Sequence, residues 1–219
     1  GVRDADAAET QLTRPLATRG LWIAEGFTNY YGHLMLRRAG LWDDKKFFEQ
    51  EAETIKRIES AQGSHLMSAI ESSLSAPFID GSPRAQVTNL QNTSISYYPK
   101  GELIGMVMDL LVRGRTGGKV SLDDVMRTMY DELYLKSPNS TYYLRGRGYQ
   151  PEDLERIASA RAGFDLSDFF KRHVSDVEVL PYEEAFAYVG LGLVKTQAKE
   201  PFAAGMWIQF EREPRIENV

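Results

Sequence analysis

The chain has 219 residues, of which 42% are hydrophobic and 26% charged, the proportions of a globular protein rather than a disordered one. A net charge of −5 argues against nucleic acid as a partner, and the densest basic run, Arg113 to Lys119, reads as a solvated helix end. There is no cysteine, which excludes disulfides and thiolate metal sites and leaves His, Asp and Glu as the available ligands. No apolar run reaches the roughly 18 residues of a membrane-spanning helix.

The pattern is mostly helical. Thr18 to Ala39 reads as a first helix stopped by Gly40. A second runs from about Asp43, a good N-cap, to Ser60, with an apolar stripe of Phe47, Phe48, Ile55 and Ile58. From Gly63 to Ser96 periodicity is poor and Ser, Gly, Pro and Asn are common. This predicts a long loop with one short helix near Ser68 to Leu74, a candidate wall of a substrate cleft. A third long helix spans roughly Tyr98 to Arg115, with Pro99 in its first turn and Gly117-Gly118 beyond its end.

Ser121-x-x-Asp124 resembles a capping box and starts another helix through Val125, Met129 and Leu133. Pro151 begins a helix that ends at Gly163, Asp165 caps one through Phe169 and Phe170, and Pro181 begins a last one ending at Gly190. Past Leu193 the stretch GMWIQFE alternates in the strand manner. Two short strands make no stable sheet alone, so the chain reads as entering a second, β-rich module. The expected division is a helical unit over 1–193 and a linker with first strands over 194–219.

On a helical wheel, Ile23, Phe27, Tyr30, Tyr31 and Leu34 form one apolar face of the first helix, and from Leu21 to Leu36 the only formally charged residue is Glu25. Such a helix is predicted to be buried nearly all round. A carboxylate within it must be protonated, paired with a cation or bound to a metal. The residues alone favour an Arg or Lys partner.

The run WIAEGFTNYYG resembles the glutamate helix of the gluzincin metallopeptidases, in which this glutamate is the third zinc ligand beside two histidines of an H-E-x-x-H helix. Three protein ligands leave the fourth position for water, as a catalytic zinc requires. Asn29, one turn after Glu25, is a candidate to hold that ligand by a hydrogen bond, or else a packing amide. Tyr98-x-Lys100-Gly101 resembles the Y-x-K-G of zinc aminopeptidases, whose phenol donates to the oxyanion of the tetrahedral intermediate. A phenol, with a pKa of about 10, remains a neutral donor in that role. By residue type alone, Tyr97 and Tyr98 would be core-filling aromatics and Lys100 a surface lysine.

Together with APFIDG at Ala76 to Gly81 and NTSISYYPKGELIGMVMDLLVR, these motifs resemble the glycyl aminopeptidase family over most of Arg19 to Leu193. The resemblance implies a mainly α fold, the helical C-terminal subdomain of a thermolysin-like metallopeptidase, with a short β segment opening a PDZ domain. It implies a zinc-dependent hydrolase that removes N-terminal residues, small ones such as Gly and Ala favoured, from a peptide substrate. Glu25 would be the metal ligand, Tyr98 the catalytic donor and Asn29 the support behind the ligand.

The chain departs from that pattern in having no H-E-x-x-H. Its histidines are His33, His65 and His173, none four residues from another. His33 reads as a packed helix residue, and His65 and His173 as loop and helix-end residues. The histidine motif is expected just upstream of Gly1, in a missing N-terminal part of the same protein. One carboxylate holds zinc poorly, so Zn2+ is expected in the full-length enzyme and absent or weak here, leaving this fragment inactive alone. The competing readings are a non-catalytic helical interaction module and another gluzincin resembling the aminopeptidase N family.

Overall fold

A computed structural model describes residues 4–5, 17–79, 90–137 and 148–194. The β segment anticipated past Leu193, including GMWIQFE, lies outside them. Among the described residues the fold is helical, in the order α1 (Leu21–Arg38), α2 (Asp44–Glu59), α3 (Ala69–Leu74), α4 (Ala76–Ile79), α5 (Leu90–Thr93), α6 (Tyr97–Arg115), α7 (Leu122–Tyr130), α8 (Pro151–Ala162), α9 (Ser167–Phe170) and α10 (Tyr182–Ala187).

The anticipated starts follow local chemistry. Asp43 accepts the Lys46 N–H at 2.7 Å to cap α2. Ser68 and Glu71 close a reciprocal capping box at the head of α3, and Ser121 with Asp124 does so for α7. Ser96 caps α6, with Pro99 in its first turn. Gly163, at φ 75°, ends α8 in the left-handed conformation that costs glycine little.

Within the stretch anticipated as a loop, the expected short helix near Ser68 to Leu74 is α3, and the other described residues add further helical turns. A 3-10 turn at Gln62–His65 is followed by α3, α4 and, just before α6, α5. Each is too short to show helical periodicity, and capping rather than amphipathicity starts α3. Asp165 does not cap α9 directly. It accepts the Ser167 N–H and hydroxyl at 2.9 and 2.7 Å in a turn before the helix. The helices α7 and α9 each run on into a π turn, at Asp131–Leu135 and Lys171–Ser175.

The centre of the fold is α6, where Tyr97 and every residue from Pro99 to Asp109 are buried. It packs along α1 at backbone distance. A Cβ at Gly26 would sit 2.3 Å from the Gly101 Cα, and one at Gly101 would sit 2.0 Å from the Trp22 carbonyl oxygen. The contacts then advance together along both helices, with Phe27 over Gly105 and the Tyr30 hydroxyl donating to Asp109 at 2.8 Å. Asp109 also accepts from Arg113 at 2.9 Å and from the Leu122 N–H at 2.7 Å, so one buried carboxylate ties α1, α6 and the start of α7.

Burial of α1 is one-sided rather than all round. Trp22, Ile23, Gly26, Phe27 and Tyr30 are buried, but Thr28 and Gly32 are exposed, and Met35 is 46% exposed. The apolar pattern therefore overstated its enclosure. On α2 the buried face is Glu51, Thr54, Ile55 and Ile58, while Phe48 stays 44% exposed.

Candidate functional site

The glycine crossing sets the positions of both sequence motifs. Glu25 adjoins Gly26 on α1, and Tyr98 lies three residues before Gly101 on α6, about 4.5 Å along the helix axis. Replacing either glycine would push the two helices, and both motifs, apart.

Glu25 is half-buried, not sealed in the core as the wheel suggested, because its side of α1 borders the exposed Thr28 and Gly32 face. Among the described residues its carboxylate makes no hydrogen bond and no ion pair, so the Arg or Lys partner favoured by residue type alone is not there. Its negative charge is felt by Tyr149, whose phenol is raised chiefly by burial and further by Asp4 and Glu25. That phenol donates to the Gly20 carbonyl at 3.1 Å, fixing Tyr149 against the start of α1. Asn29 is half-buried, and no hydrogen bond joins it to Glu25 among the described residues.

The two tyrosines divide their roles. Tyr97 is 2% exposed and fills core, whereas Tyr98 is 37% exposed and stacks on it at a centroid distance of 4.8 Å. The reading of both rings as core residues holds for Tyr97 only. Lys100, read as a surface lysine, is 2% exposed. Burial lowers its ammonium below the usual lysine range, with Glu59 partly opposing the shift. The Glu59 carboxylate whose charge acts on Lys100 also accepts from the Tyr182 hydroxyl at 2.7 Å.

The three histidines separate as well. His65 is exposed. His173 is buried beside Phe169, with Nδ1 3.2 Å from the Glu178 carbonyl, and burial lowers its pKa. His33 is not merely packed. It lies against Trp42 at 5.3 Å, with Nδ1 3.1 Å from Glu51 Oε1 and 3.4 Å from Glu102 Oε1, the latter contact too poorly aligned for a hydrogen bond. Burial first, then the neighbouring Glu102 charge, pushes the Glu51 carboxyl up to about 8.

Sequence reasoning missed Glu51 and Glu102, although a signal was present. Glu51 interrupts the apolar stripe of α2 between Phe47 and Ile55, and Glu102 stands within the apolar run of α6. A carboxylate on a core-facing stripe needs a partner, as Glu25 did.

A zinc ion at Glu25 is consistent with the donor chemistry, since an uncommitted, partly accessible carboxylate is available there. It accounts for one protein ligand. The chain has no histidine at the spacing that would supply the other two from one helix, and none of its three has been brought to Glu25 by a contact among the described residues.

Residues 1–104 match the M61 glycyl aminopeptidase family. Among solved structures, the chain is similar to the crystal structure of an aminopeptidase N family protein from Idiomarina loihiensis, with a TM-score of 0.72 and 27% sequence identity. The similarity covers 85% of this chain and 30% of that one, so the chain spans under a third of its solved relative. No curated protein matches it.

Proposed function

We propose that this chain, whose residues 1–104 match the M61 glycyl aminopeptidase family, supplies the glutamate and tyrosine half of a zinc aminopeptidase active site. The observation that carries the reading is the backbone contact of Gly26 with Gly101. Glu25 adjoins one of these glycines and Tyr98 lies one turn before the other, and among the described residues the carboxylate has no hydrogen bond or ion pair while the tyrosine ring is accessible; these support the reading.

In the whole protein, Glu25 would hold zinc with two histidines contributed from outside this sequence. When bound, the metal supplies Lewis acidity and an activated water. Glu25 contributes negative charge and a fixed oxygen. Tyr98 would donate a hydrogen bond from its phenol where oxyanion charge develops on the substrate. Tyr97, stacked beneath, limits the ring positions open to Tyr98. Asn29, one turn along α1, would steady Glu25 once the carboxylate is turned to its metal. The substrate is an unblocked peptide with a small N-terminal residue, Gly or Ala, and the PDZ module remains part of the proposal for the C-terminal residues. No helix of the described residues is long and apolar enough to cross a membrane.

The reading is tested with glycyl and alanyl chromogenic amides on the full-length protein. Tyr98→Phe should lower kcat by about 100- to 1,000-fold with little change in KM, the effect of removing one transition-state donor. Unchanged kcat would remove Tyr98 from the reaction. This chain alone should hydrolyse nothing, and metal-dependent hydrolysis by it would overturn the assignment of a half-site.

A further inference from the structure

A buried cluster on the far part of α1 has no role in the aminopeptidase reading. Glu51 and Glu102 are 4% and 1% exposed, and they meet the half-buried His33 at the junction of α1, α2 and α6. One donor atom from each of the three residues lies within 4.8 Å of the other two. His33 is eight residues beyond Glu25, about 12 Å along the helix, so the cluster is separate from the Glu25 position.

The cluster has the marks of a ligand set rather than an ion pair. Among the described residues, neither carboxylate is paired with a lysine or arginine, and the His33 imidazole, which pairs with them as a cation only when protonated, can balance no more than one of the two. Two oxygens, Glu51 Oε2 and Glu102 Oε1, are fully buried without a hydrogen bond among the described residues, an arrangement that costs about 1–3 kcal/mol or more for each such group. Neutralising the pocket takes two protons or one divalent cation.

Distances favour the cation. Ligands held about 2.0–2.1 Å from a tetrahedral metal stand roughly 3.3–3.4 Å from one another. The His33–Glu102 contact, at 3.4 Å, matches such an edge, and the His33–Glu51 hydrogen-bonding contact, at 3.1 Å, is about 0.2 Å shorter than one. Trp42 stacked on the imidazole fixes its plane. Glu51 also lines a cavity of about 550 Å³ between α1, α2, α6 and the segment after α10, which gives an ion a way in.

We infer that His33, Glu51 and Glu102 form a second divalent-cation site, distinct from the catalytic half-site. One imidazole nitrogen with two carboxylates suits Zn2+ or another borderline first-row ion and disfavours Ca2+ and Mg2+, which take all-oxygen cages. The site would pin α1, α2 and α6 together behind the glycine crossing. Weak zinc retention was anticipated from Glu25 alone; this cluster gives the same chain a different place to hold it.

The test is titration of the EDTA-stripped chain with ZnCl2 by calorimetry, and with CoCl2 followed by visible d–d absorption. One ion per chain should bind, with a rise in Tm. Glu51→Gln and Glu102→Gln should each weaken binding by roughly 100-fold or more, since a lost ligand costs no less than the about 10- to 100-fold typical of its outer partners. Glutamine keeps the volume and the neutrality of a protonated acid, and an unchanged metal-free far-UV spectrum verifies each variant's fold. Glu25→Gln should leave binding unaltered. Absence of stoichiometric binding would overturn the site. So would binding indifferent to both acid variants, binding abolished by Glu25→Gln, or proton uptake by the carboxylates with no ion bound.

Discussion

Gly26→Ala is predicted to be the most informative single change in the fold. An alanine Cβ there would meet Gly101 Cα at 2.3 Å, Gly101 C at 2.4 Å and Glu102 N at 2.7 Å, all backbone atoms of α6. Ordinary carbon contacts are about 3.5–4.0 Å, so α1 and α6 must separate by about 1 Å. No flexible side chain can absorb that shift, which puts the overpacking cost near the upper end of its range, about 3 kcal/mol. Alanine returns about 0.8–1.0 kcal/mol in helix propensity, leaving a net loss of about 2 kcal/mol. For a chain of this size that is a fall in Tm of about 4–8 °C. Gly32→Ala, on the same helix with nothing within 4 Å of its Cβ, should instead raise stability by roughly 0.5–1 kcal/mol. Urea and thermal unfolding followed by far-UV circular dichroism measure both. A Gly26→Ala protein as stable as Gly32→Ala would mean that the helices do not touch backbone to backbone, and the proposed half-site would lose its basis.

Further outcomes follow from the same contacts. Asp109→Ala strips partners from Tyr30, Arg113 and the Leu122 N–H at a buried position, and should cost about 3–5 kcal/mol by urea unfolding. Arg19→Ala removes the pair to Glu152, whose side chains are 40% and 62% exposed, and should cost less than about 1 kcal/mol in the same assay. Burial lowers the His173 pKa, so the unfolded chain protonates first as pH falls. The stability from His173 is therefore complete above its unfolded pKa of about 6.5 and is lost progressively below it. His173→Gln should flatten the stability-against-pH curve on that acid side.

Local chemistry was legible in the sequence where one residue decides one boundary. Asp43, Ser68 with Glu71, Ser121 with Asp124, and Gly163 each mark a helix end by a hydrogen bond or a backbone angle formed within a few residues. The short helices α4 and α5 were not legible, because a turn or two carries no periodicity. Enclosure of α1 was misjudged for a related reason. Apolar residues on a wheel report what can be buried, while Thr28 and Gly32 are exposed because nothing among the described residues covers them. Lys100 shows the converse, a charged residue carried inside by the register that Gly101 imposes on α6.

The Glu25 and Tyr98 motifs stand out in the sequence because each is compact. The His33, Glu51 and Glu102 cluster could not be assembled that way, since its members come from three helices and only the fold joins them.

The central claim is that Glu25 is a zinc ligand of the whole enzyme. Its most direct test is the zinc content of the full-length protein, measured by mass spectrometry in a Glu51→Gln background that removes the His33 cluster from the count. With Glu25 intact, one zinc per chain and hydrolysis of glycyl amides are predicted; with Glu25→Gln added, zinc and activity should fall together. Retention of one zinc and full activity in the Glu25→Gln protein would contradict the account.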